Sequence, residues 1–447
     1  MRRSLKRARP TGTLWRHRDF LKLWTGQTIS NFGTEITELA IPLIAIIALD
    51  ASAFEVAALG TVAFAPFILF TLPAGVWVDR LPRRAVLIVG DLGRAVLLAS
   101  IPLAWALDAL TLGQLYVVGF LVGILTVFFD VAYQSYLPSL VGRDELVEGN
   151  SKLEITRSGA SIAGPGVAGV LISVITAPYA IVVDALSYVV SGGFLVRIRK
   201  RETPPERTSE ESKPRLRTEL REGLAYVLKH PYLRPQAICT GTSNFCSNLA
   251  FSILLVYAVR ELGMSAAVIG IVFALSNVGW LVGAAAAGPI GRVLGVGRAT
   301  LGAAFLFGPA MRLVPLAPQS FPEPFLIVAF ALTGFGSVVY NIQQVSLRQA
   351  ITPERMQGRM NSVMRFLVWG TIPLGALAGG ALGSTIGLRE TLFVGAALGS
   401  LTFLPILLSP IRSLERIPEP EEPVLPTLAA DEGAVIGPAP ASVSPDA

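Results

Sequence analysis

The chain has 447 residues, of which 52% are hydrophobic and only 15% charged, and its mean hydropathy is +0.59. A soluble protein carries about 25% charged residues, so this composition excludes a soluble globular fold and points to a polytopic membrane protein. The net charge of +6 invites a nucleic-acid partner, but lysine and arginine lie between apolar runs rather than on one folded face, which excludes one.

Residues 1–19 form a basic tail that the positive-inside rule places in the cytoplasm. Twelve apolar runs follow, at about 20–49, 54–78, 85–107, 112–137, 155–176, 178–198, 233–260, 266–291, 298–317, 324–350, 360–387 and 389–411. A bilayer-spanning helix needs about 20 such residues, so each run is predicted to span. Arg80, Arg83 and Arg84, then Arg143 and Lys152, Arg292 and Arg298, and Arg355 and Arg359 fall in alternate loops, while the other loops are short and nearly free of basic residues. The expected protein is all-α and multi-pass in the cell membrane, with both termini cytoplasmic.

The first span carries Gln27, Asn31, Glu35 and Glu38, spaced four, four and three apart, which makes one polar stripe. A charged carboxylate at mid-membrane costs at least about 2.5–3.5 kcal/mol, so Glu35 and Glu38 must face a cavity, pair with a cation or hold a proton. They are the first candidates for proton coupling, with Asp184 of the sixth span third. Pairing with a buried arginine is the structural alternative. Asp91 and Arg94, three apart in the third span, are expected to form an internal ion pair.

Asn244 and Asn248 of the seventh span, with Gln27 and Asn31, are expected to line a central cavity; ordinary helix–helix hydrogen bonding is the alternative. Tyr133 and Gln134 of the fourth span and Tyr340, Asn341 and Gln344 of the tenth are further cavity candidates, though buried aromatics also serve packing. Gly164, Pro165 and Gly169 of the fifth span are expected to allow close helix approach and a kink.

Residues 199–232 are the longest break between spans, with an amphipathic stretch at about 215–229, and they divide the chain into halves 20–198 and 233–411. Residues 412–447 are rich in proline, alanine and acidic residues and read as a disordered cytoplasmic tail. The halves repeat. Ser30-Asn31-Phe32 recurs as Ser243-Asn244-Phe245, Gly75 matches Gly288, and Gly159, Gly164 and Gly169 match Gly370, Gly375 and Gly380.

No enzyme is expected. Cys239 and Cys246 sit in one span, His17 and His230 lie outside the spans, and there is no phosphate-binding loop, so no metal site or cofactor is expected.

Gly75-x-x-x-Asp79-Arg80-x-x-Arg83-Arg84, placed after two spans, resembles the signature loop of the major facilitator superfamily; Pro82 stands where that family usually has glycine. The fifth span, Ala160 to Gly169, resembles the helix-5 motif of superfamily antiporters, with Ala160 and Ala168 replacing glycines. Trp24–Ser30 and Gln134–Pro138 resemble the branch holding siderophore and macrolide exporters. The resemblance covers about 15–411 and implies two six-helix pseudo-repeats working by alternating access. It implies that Asp130 bonds Arg83 and Asp79 in a gating charge lock closed only when the site faces outward, and that Gly164, Pro165 and Gly169 form a hinge suited to exchange. The fourth span lacks the arginine that many drug/proton antiporters carry, so their relay does not transfer.

The expected function is proton-coupled efflux of a hydrophobic or cationic small molecule, driven by the proton gradient, from a monomer in the lipid bilayer. An importer or uniporter of the same fold, or a non-transporting scaffold or receptor, are the alternatives.

Overall fold

The structure is a computed structural model that describes residues 13–78, 80–142, 145–200 and 216–416. Asp79 and Arg143 lie outside the described residues, as do the ends of the two tails and much of the segment between the halves.

The first six long helices are α1 (Arg18–Ala48), α2 (Ala53–Val78), α3 (Arg83–Ala106), α4 (Leu112–Leu140), α5 (Leu146–Ile175) and α6 (Ala177–Val196). A short amphipathic helix, α7 (Leu216–Lys229), precedes α8 (Leu233–Arg260), α9 (Ala266–Leu294), α10 (Val296–Leu316), α11 (Glu323–Ile351), α12 (Met356–Thr385) and α13 (Leu388–Leu407). All but α7 are long and apolar enough to cross a membrane, which makes 12 candidate spans among the described residues.

Hydrocarbon offers no water, so a spanning segment must satisfy its polar groups internally. The helices do this for the backbone, and serine and threonine hydroxyls follow suit: Thr28 donates to Trp24 O at 2.7 Å and Ser173 to Gly169 O at 2.9 Å.

Two helices depart from the hydropathy reading. α5 starts well before 155, because Glu148 and Lys152 pair at 3.4 Å one turn apart and carry the helix past its apolar window. α9 breaks at Asn277, where Gly279 packs directly on the backbone of Ala331.

Because the spans alternate, every arginine-rich connection falls at one end of the bundle, called the basic end below. The α2–α3 turn there is closed by Arg80 N–H to Trp77 O at 3.0 Å, and Pro82, extended at φ −61° and ψ 113°, starts α3. Proline thus takes the helix-starting role that suits its fixed φ. In the second copy of this turn glycine does the work: Gly295 has φ +81°, a conformation that strains other residues.

Helices α1–α6 pack on one another, as do α8–α13, and α7 lies on α8 and α12. The halves meet where α2 touches α8 and α12 and where α5 touches α9. Arg260 binds Asp50 at 2.7 Å, Ala267 N–H donates to Ser173 Oγ at 3.0 Å, and Phe54 N–H to Ser384 Oγ at 3.3 Å. These three lie at the end opposite the basic one. Asn277 Nδ2 donates to Ser161 O at 2.6 Å nearer the middle. The hydrogen bonds that join the halves between described residues thus gather at the end opposite the basic one and toward the middle.

Candidate functional site

The faces of α1 divide the polar residues cleanly. At 100° per residue, Gln27, Asn31, Glu35 and Glu38 fall within one narrow stripe, while Ser30, Gly33 and Thr37 fall on another. The first stripe looks toward α5 and the second half. Glu35 is half-buried, its side chain resting against Ser161 and against Gly164, where an added Cβ would come within 2.6 Å of Glu35 Cγ. Gly164 therefore makes room for an acid, beyond any role in bending. Glu38 is exposed although it lies about 30 Å along α1, by the 1.5 Å rise per residue, one turn beyond Glu35 on the same stripe. Asn31 is half-buried; Gln27 is buried, and its Nε2 has no hydrogen-bond partner. Neither glutamate makes an ion pair with a described residue.

The fifth-span glycines act by close approach. A Cβ on Gly169 would lie 3.0 Å from Gly270 Cα, and one on Gly166 would lie 3.3 Å from Ala274 Cβ. Pro165 sits within α5, its carbonyl against Gly270. Together they hold α5 to α9 across the two halves.

The second half contributes a neutral pocket of about 240 Å³ among α8, α9, α10 and α11. Thr240, Ser243, Asn244, Trp280, Phe307, Tyr340 and Asn341 line it. Tyr340 OH is 2.8 Å from Thr240 Oγ1, and Asn244 Nδ2 donates to Val368 O at 3.1 Å. Asn248 stays out of the pocket lining and donates to Asn244 O at 2.9 Å; Gln344 is buried and donates to Asn341 Oδ1 at 3.1 Å. A larger groove of about 600 Å³ lies elsewhere, against α8, α12 and α13, lined by Phe245, Cys246, Leu398 and Leu401. Its lining holds no charged residue, which suits hydrocarbon rather than chemistry.

Tyr133 is half-buried and stacks on Phe129 at 6.0 Å between centroids, while Gln134 is exposed. Asp130 is exposed, and the cations acting on it are Arg94 and Arg157. Arg83 instead donates to Ser135 O at 3.3 Å. Asp130 lies about 7 Å deeper along α4 than Ser135, so Arg83 engages the helix end here, and the lock expected to close only when the site faces outward is not formed between Asp130 and Arg83. Arg84 reaches Leu195 O at 3.0 Å and Val196 O at 2.5 Å, capping α6. Arg80 is exposed, and a Cβ on Gly75 would meet nothing within 4 Å.

Asp184 does not face the cavity. It is buried inside the first half, where Thr37 and Ser187 donate to it. The sequence reading also passed over Arg157, Ser161, Asn277, Trp280 and Phe307, whose places in the cavity come from helix crossings that no local pattern encodes.

Twelve candidate spans in two six-helix halves are the architecture of a membrane transporter. The sequence profile of the Major Facilitator Superfamily matches residues 23–371 and 236–443, and the chain belongs to that superfamily. It is 29% identical over 409 residues to the multidrug efflux pump Tap of Mycolicibacterium fortuitum, covering 87% of this chain and 95% of Tap. It is 23% identical over 401 residues to macrolide efflux protein A of Streptococcus pyogenes, covering 89% and 97%. Its fold matches that of a bacterial homologue of the iron transporter ferroportin, solved in an inward-facing state, with a TM-score of 0.69 at 19% identity, covering 89% and 99% of the two chains.

Proposed function

We propose that this protein exports hydrophobic or cationic small molecules, such as drugs or secondary metabolites, in exchange for protons, by alternating access. The observation that carries the reading is the pair Glu35 and Glu38: two acids on one stripe of α1, without an ion pair to any described residue, in a bundle whose second half holds a neutral aromatic pocket. Such a pair holds either protons or a cationic substrate, which is what exchange requires. The positive-inside rule puts the basic end and both termini in the cytoplasm, and the inter-half bonds at the opposite end suit an inward-facing state. The names of the efflux relatives support export. One charge moving down 100 mV supplies about 2.3 kcal/mol, enough for a roughly 50-fold gradient at 1.4 kcal/mol per decade. The protein acts as a monomer, since one chain encloses the whole cavity.

Substrate-driven proton release from proteoliposomes tests the reading, with wild type and Glu35→Gln challenged by a panel of lipophilic cationic antibiotics and dyes. Release in wild type that is lost in the variant while substrate still binds is the expected result. A wild type that moves substrate without protons makes this a uniporter.

A further inference from the structure

The first half contains a group of ionisable side chains that the cavity does not use. Asp91 of α3 and Asp184 of α6 are each 0% exposed, and Arg94 of α3 is 5% exposed. Arg94 Nη2 binds Asp91 Oδ1 at 2.6 Å, and its guanidinium carbon lies 4.4 Å from the ring centre of Phe129 and 4.2 Å from that of Tyr188. Nη1 reaches Tyr188 OH at 3.5 Å, and that hydroxyl is 2.8 Å from Thr34 Oγ1. Asp184 accepts from Thr37 through Oδ2 and from Ser187 through Oδ1, the latter at 2.9 Å.

The charges do not balance. Two carboxylates and one guanidinium sum to −1, sealed inside a membrane helix bundle. From α1 the group meets the hydroxyls of Thr34 and Thr37 and the carboxyl of Glu38; from α4, the Phe129 ring and the carboxyl of Asp130, on which Arg157 of α5 also acts; from α6, Ser187, Tyr188 and Ser191. Arg94 is the one cation among the described residues that acts on either aspartate. An uncompensated charge buried this way is not tolerated, and one proton removes it. There is also a place for that proton: Asp91 Oδ2 and Ser191 Oγ are buried side by side, and neither has a hydrogen-bond partner elsewhere among the described residues.

We propose that Asp91 and Asp184, with the one guanidinium of Arg94 between their charges, form a buried group in the first half that holds one proton in total. It is separate from the cavity acids Glu35 and Glu38. The proposal rests on the proton-exchange reading and adds a second acid site to it. The second half has no such group: at the repeat offset of 211–213 the matching positions are 302–304, 305–307 and 395–397, which hold only glycine, alanine, leucine and phenylalanine.

Infrared difference spectroscopy of the purified protein in H2O and D2O reads the site directly. The wild type should show one protonated-carboxyl C=O stretch that exchanges slowly with D2O. Asp91→Asn and Asp184→Asn should each abolish it, since the remaining aspartate balances Arg94 without a proton. Glu35→Gln and Glu38→Gln should keep it, and Arg94→Gln should double it. Both aspartate variants are near-isosteric, and a monodisperse elution profile checks their folding; the wild-type spectrum needs no variant at all. A wild type without the slow band, a band that survives in both aspartate variants, or one lost in Glu35→Gln overturns the proposal. A slow band with this pattern in a protein that moves no protons with substrate leaves the sealed site standing and removes the exchange reading instead.

Discussion

Arg260 and Asp50 meet at 2.7 Å across the boundary between the halves, at the end opposite the arginine-rich turns. Asp50 is also held at φ +48°, in the left-handed region that Asp and Asn tolerate better than most residues. Asp50→Asn keeps that backbone and removes the charge. The pair is largely exposed, with Asp50 95% and Arg260 36% accessible, so it is a weak latch. Its loss should shift the balance toward opening at that end by about five-fold or less. Spin-label distances across that end, in Asp50→Asn and Arg260→Gln, check this; unchanged distance distributions would show that the pair only decorates the interface.

Gly164→Ala places a methyl where Glu35 Cγ and Cβ already lie, 2.6 and 2.7 Å from the new atom. Overpacking of this kind costs about 1–3 kcal/mol, here spent on moving the acid or separating α1 from α5. Transport should fall while the protein still elutes as a single species. Shortening the acid in Gly164→Ala/Glu35→Asp should recover part of it. A double variant no better than the single one would place the damage in α5 itself.

Gly270→Ala drives a methyl into the carbonyl of Pro165 and to within 3.0 Å of Gly169 Cα. Neither backbone group can swing away as a side chain does, so the α5–α9 contact must open. The expected loss is again about 1–3 kcal/mol, read as a lower melting temperature in detergent and a greater share of molecules open at the end opposite the basic one.

Trp280→Ala and Tyr340→Phe alter the neutral pocket without touching a carboxylate. The first removes a large aromatic wall, the second a hydroxyl 2.8 Å from Thr240. Both should change which dyes and antibiotics are exported, with Trp280→Ala losing about ten-fold or more for the bulkiest aromatic compounds. Export assays on a matched series of neutral and cationic compounds would show it; a uniform loss across the series would mean a folding defect.

Glu261, just past the end of α8, offers a pH signature. Partial burial, then the nearby Glu390, push its carboxyl above the ordinary glutamate range, against the pull of Arg389. The folded state therefore keeps this proton to higher pH than the unfolded chain does. Its ionisation costs the fold something as pH climbs past the ordinary glutamate value, and nothing below it. Glu261→Gln should melt like wild type in acid and slightly higher at neutral pH.

The sequence and the structure agree where the signal is local. Hydropathy and the spacing of arginines delimit the spans, because burial in lipid acts on each stretch separately. The stripe of Gln27, Asn31, Glu35 and Glu38 was visible because helical periodicity alone creates it. Asp184 looked partnerless because its donor Thr37 lies 147 residues away on the other stripe of α1. The break at Asn277 was hidden for a similar reason, since it depends on Gly279 meeting the backbone of Ala331. The resemblance placed Asp130 with Arg83 in the outward-facing state; that Arg94 and Arg157 also act on Asp130 was not legible, because they come from two other helices.

The duplicated halves have drifted in different directions. Away from the helix ends, the carboxylates of the described spans all belong to the first copy, while the second surrounds its pocket with hydroxyls, amides and rings. Evolution can therefore retune the second copy, one substitution at a time, without disturbing any acid in the first. A lineage carrying this gene has a ready path to new cargo: duplication supplied two equal walls, and only one of them has to stay the same.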